Sequence, residues 1–81
     1  MSYVIGFNMP GYMPDMEPYQ VDTFDEAKRC LISELKIAED DADSEESAIE
    51  FSLEAEDVNL WSSEGTTNEM PDGYCYWIEE A

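Results

Sequence analysis

The chain has 81 residues, with 21 Asp plus Glu against 3 Lys plus Arg and no His, for a formal charge of −18. One domain over residues 1–81 is the expectation, since typical domains run to about 100–150 residues and a fold this small hides only about 60% of the surface its unfolded chain exposes. A composition 43% hydrophobic and 12% aromatic is too rich for an acidic disordered tail. The domain should therefore fold, repel nucleic acid and anionic membranes, and attract cationic surfaces.

Residues 2–8 are β-branched and aromatic and predict a strand near the centre of a sheet. Pro10, Pro14 and Pro18 follow within nine residues, which forbids a helix and predicts an extended loop, because proline fixes φ and lacks a donor. Tyr19-Gln20-Val21 can return as a short edge strand. Thr23-Phe24-Asp25-Glu26 reads as a capping box opening a helix. Phe24, Ala27, Leu31, Leu35 and Ala38 give that helix one apolar face. Asp25–Arg29 and Lys36–Asp40 stand at the i,i+4 spacing of helical ion pairs, which contribute only ~0.2–0.5 kcal/mol each.

Asp40 and Asp41 oppose a helix dipole and predict a break, with Asp43 or Ser44 capping a second helix. Residues 48–58 carry two periods at once. Ile49, Phe51, Leu53 and Ala55 alternate as in a strand, whereas Ala48, Phe51, Ala55 and Val58 recur as on a helix. The helix-favouring Glu, Ala and Leu and the preceding cap decide for helix. Residues 62–68 read as loop, Asp72-Gly73 as a turn, and Tyr74–Ile78 as a strand. The order predicts an α+β fold, a small antiparallel sheet of about three strands with two helices packed on one face.

The absence of His removes the commonest general base and metal ligand. Cys30 and Cys75 form no CxxC pair and read as packing thiols in a reducing compartment, although spacing alone leaves a disulfide open. The expectation is a protein that is not an enzyme and needs no cofactor. The segment Met1–Phe7 has neither a basic leader nor a long apolar run, which favours the cytoplasm and disfavours a membrane partner.

Ten of the 21 acids and no base lie between Glu39 and Asp57. Charge runs are usually solvated faces, yet −18 exceeds the magnitude of ~2–8 usual for a small domain, and self-repulsion opposes folding. On a helix Asp43, Glu46, Glu50, Glu54 and Asp57 would form a stripe with neighbours roughly one turn, ~5.4 Å, apart. That spacing lies near the separation of successive phosphates on a nucleic-acid strand. Asp41-Ala42-Asp43-Ser44-Glu45 also imitates the start of a calcium loop, but Glu46 stands where its glycine belongs and Ser52 where its last glutamate belongs. Tyr12, Met13, Met16 and Trp61 are candidate apolar contacts, since Met surfaces repack around partners and Trp anchors interfaces.

The acid run Glu39–Asp57, the scarcity of Lys and Arg, the small size and the aromatic strand Tyr74–Ile78 resemble the acidic DNA-mimic inhibitors of phages and mobile elements, anti-CRISPR and anti-restriction proteins among them. The resemblance rests on general character and covers no alignable motif. It implies an inhibitor that occupies the basic DNA-binding groove of a CRISPR–Cas effector or restriction enzyme in the bacterial cytoplasm, with no catalytic residue of its own. Glu39, Asp40, Asp41, Asp43, Glu46, Glu50, Glu54 and Asp57 would stand in for phosphates. The alternatives are an immunity or antitoxin protein neutralising a cationic nuclease, a calcium-binding acidic domain, and an acidic regulator docking a basic host protein. A homodimer stays open.

Overall fold

A computed structural model describes residues 2–9, 11 and 19–81. The expected proline-rich loop, with Tyr12, Met13 and Met16, lies largely outside the described residues.

The β-branched and aromatic run near the N-terminus forms β1 (Tyr3–Asn8), and Tyr19–Val21 forms the short β2. Two helices follow, α1 (Phe24–Asp40) and α2 (Glu45–Asn59), then β3 (Gly65–Thr66) and β4 (Cys75–Glu80). The strands make one antiparallel sheet in the order β2-β1-β4-β3, so β1 is central and β2 is an edge strand, as the sequence predicts. The sheet has four strands instead of about three. The addition is β3, inside the stretch read as loop, where Gly65 pairs with Ile78 and Thr66 with Trp77. Two residues carry no period, so only the partner strand reveals this one.

Strand geometry sends alternate side chains to opposite faces. From β1, Tyr3 meets Phe24 of α1 edge-on at 5.5 Å, Ile5 is buried, and Phe7 lies 5.3 Å from the Tyr76 ring. These residues form the floor on which α1 rests, and α2 packs alongside α1. Ala27, Leu31 and Leu35 from α1, and Phe51, Ala55 and Val58 from α2, close one core with Ile5, Tyr76 and Ile78. On the other face the Trp77 ring lies against Gly6, where an added Cβ would sit 2.6 Å from it. Its indole Nε1–H donates to Asn8 Oδ1 at 2.7 Å. Gly6 is thus the space that lets Trp77 lie flat on β1.

Both helix starts follow from their caps. The Thr23 hydroxyl accepts from the Glu26 N–H and the Ser44 hydroxyl from the Ser47 N–H, each at 3.2 Å. Ser44, not Asp43, takes the second cap, and α1 ends where expected, with Asp41 as its C-cap. The β3–β4 connection is closed by side chains. Buried Thr67 donates its N–H to Tyr76 O at 2.8 Å, and its hydroxyl accepts the Tyr76 N–H at 3.0 Å. Asp72 accepts from the Tyr74 N–H at 3.0 Å and from the Tyr76 hydroxyl at 2.7 Å, while Gly73 adopts φ +85°. This is an Asx turn with the positive φ that glycine supplies at no steric cost. Cys30 and Cys75 are both free and half-buried.

Candidate functional site

The acids divide into two groups. Glu46, Glu50, Glu54 and Asp57 all lie on α2. At ~100° per residue they occupy an arc of about 80°, away from the buried Phe51, Ala55 and Val58. Glu46, Glu50 and Asp57 are exposed and Glu54 is half-buried. From Glu46 to Asp57 the ridge rises ~16 Å, about one carboxylate per 5.5 Å, which is sparser along the axis than the expected match, since one strand of a DNA duplex carries a phosphate per ~3.4 Å. α2 contains no Lys or Arg, and neither helix has a base in its last turn.

The second group is the helix junction. Glu39 is half-buried at the end of α1, Asp40 and Asp41 are exposed, and Asp43 precedes the Ser44 cap. Asp43 therefore does not continue the α2 ridge, contrary to the expected stripe. It lines, with Asp41, Glu34 and Asp72, a groove of about 290 Å³ whose apolar wall includes Phe7 and Phe51. Glu34 and Asp72 are the acids sequence reasoning missed here. Only the fold brings them to the junction, from mid-α1 and from the Asx turn.

Glu54, on the ridge, has a displaced carboxyl. Partial burial, and secondarily the negative charge of Asp57, hold its carboxyl above the usual range. The Tyr76 hydroxyl is likewise pushed up, first by burial and then by its bond to Asp72. Among the described residues no three Cys, Asp or Glu side chains converge in a way that could hold a metal ion.

Trp61 is half-buried. Its ring lies against Gly65, where an added Cβ would sit 3.4 Å away, and its carbonyl accepts from Lys28 Nζ at 2.9 Å. Lys28 also lies 5.7 Å from the centre of the Phe24 ring. Trp61 thus helps tie the end of α2 back to α1. The large apolar side chains that α2 and its C-cap do expose are Ile49, Leu53 and Leu60, at 52%, 60% and 80%. Along the chain Ile49 and Leu53 fall in a strand-like alternation. A helical projection finds the signal, since residues four and eleven apart share a face.

No helix among the described residues is long and apolar enough to cross a membrane. The chain matches no protein-family model, no curated protein and no solved structure.

Proposed function

We propose that this protein is a DNA-mimic inhibitor that binds the Lys- and Arg-lined channel of a host defence complex and excludes DNA from it. The observation that carries the reading is the α2 ridge, with Glu46, Glu50 and Asp57 exposed on one side of a helix free of cations, the first two about one turn apart and Asp57 about two turns beyond Glu50. Energetics support it. Like charges at helical i,i+4 spacing destabilise by ~0.2–0.5 kcal/mol per pair, and Asp57 in the last turn of α2 also opposes the helix dipole. A ridge arranged against the stability of its own helix fits a surface kept for a partner better than one kept for solubility. Against a basic channel the same repulsion becomes attraction, speeding encounter and making affinity fall with salt. Occlusion requires no chemistry from the protein itself, and it places the inhibitor in the bacterial cytoplasm with its target. Anti-CRISPR and anti-restriction activity are its two expected forms.

The test is protection in bacteria that carry a defined CRISPR–Cas or restriction system. Expression of the protein should raise phage plating or plasmid transformation in at least one such strain. The Glu46→Lys, Glu50→Lys, Asp57→Lys variant should lose protection while keeping the wild-type circular dichroism spectrum. Glu54 is spared because it is half-buried. Undiminished protection by this variant would sink the decoy reading.

A further inference from the structure

The acid ridge does not stand alone on the outer side of α2. Ile49, Leu53 and Leu60, more than half exposed, fall within about 40° of one another at ~100° per residue. With Glu56 they follow the 4-3-4 spacing of a helix-pairing seam. Glu46, Glu50 and Asp57 border this strip on one side, and Glu45 borders it on the other. The inner face, with Phe51, Ala55 and Val58, is already committed to the core. α2 is therefore apolar on two opposite sides, and only one is covered among the described residues.

A second copy of this chain is a poor occupant. Two strips packed together would set Glu45, Glu46, Glu50, Glu56 and Asp57 against the same acids of the other copy, and like charges across an interface suppress pairing. A duplex-shaped array of charges is also an incomplete description, since phosphate rows are not separated by exposed aliphatic side chains. We infer that the outer face of α2 docks a basic amphipathic helix of the target protein, with aliphatic residues facing Ile49, Leu53 and Leu60, a Lys or Arg opposite Glu56, and further cations along both borders. This inference rests on the decoy reading and adds where its specificity resides. The carboxylates supply a salt-sensitive attraction common to all basic surfaces. The aliphatic strip selects, among basic surfaces, those that carry a matching apolar seam.

Two synthetic helical peptides with the same number and placement of Lys provide the probe, one with a Leu seam and one with Ala in its place. Affinities measured by fluorescence anisotropy at two salt concentrations should favour the Leu-seam peptide by roughly tenfold or more, the size expected when two aliphatic side chains leave water. The Ile49→Gln, Leu53→Gln variant, which keeps only Leu60 of the strip, should lose most of that preference, with the wild-type salt dependence for the Ala-seam peptide. Gln is a good helix former, and a circular dichroism melt checks the fold. The Glu46→Gln, Glu50→Gln, Asp57→Asn variant should weaken both peptides and flatten their salt dependence. A wild-type protein with no preference, or an Ile49→Gln, Leu53→Gln variant that keeps it, would overturn the apolar seam and leave the charge decoy standing. Undiminished binding of both peptides by the charge variant would instead overturn the reading of the acid ridge.

Discussion

The two helices are built alike at their starts and differ in what they face. Each has a hydroxyl cap and two acids in its first turn, and neither has a base in its last. α1 holds all three cations of the chain and buries Ala27, Leu31 and Leu35 along one face against the sheet. α2 holds no cation, buries Phe51, Ala55 and Val58, and carries a second apolar strip outward among acids. α1 thus spends its apolar residues chiefly on the core, whereas α2 is anchored by one side and leaves a second apolar side uncovered among the described residues.

Substitutions can break that division. Phe51 is 2% exposed and Leu53 is 60% exposed, so two residues apart on one helix should behave as core and as surface. Phe51→Ala is expected to cost about 3–5 kcal/mol in urea unfolding, and Leu53→Ala about 0.5 kcal/mol or less. Similar losses at both positions would mean that the outer strip is covered. Next in size are the caps. Thr23→Ala and Ser44→Ala should each cost about 1 kcal/mol, with the same slope against denaturant as the wild type.

The smallest effect sharpens the picture of the ridge. Folding raises the affinity of Glu54 for its proton, so its charged form penalises the folded state at neutral pH. The penalty fades as the pH falls through the raised value and is gone below the ordinary one. Glu54→Gln should therefore be more stable than wild type at pH 7 by a few tenths of a kcal/mol, since the side chain is only partly buried and solvent screens its repulsion from Asp57. The gap should close toward pH 4, and a gap that widened on acidification would contradict the assignment.

Much of this was legible in the residues. The Thr23 cap, the Ala27–Leu31–Leu35 face and the aromatic strand declare themselves locally, because their periods match the element they form. β3 does not, since the pairing of Gly65 and Thr66 is imposed by β4. The alternation over residues 48–58 has a physical source. An α-helix apolar on two opposite sides places Ile49 and Leu53 outward and Phe51 and Ala55 inward, and along the chain this imitates a strand. The ridge was legible as a count and a spacing. The departure of Asp43 was not, because either Asp43 or Ser44 could cap α2 and only the backbone decides. The groove at the helix junction was hidden as well, since Glu34 and Asp72 are distant in sequence.

On the proposed function, the α2 carboxylates compete with DNA for a basic channel. The most direct test of this competition is displacement of fluorescently labelled duplex DNA from purified CRISPR–Cas effectors and restriction enzymes, followed by anisotropy. The wild-type protein should release the DNA from at least one of them at near-equimolar amounts, less effectively as salt rises, and the Glu46→Lys, Glu50→Lys, Asp57→Lys variant should release none. Release from none of them by the wild type, or equal release by the variant, would contradict the account.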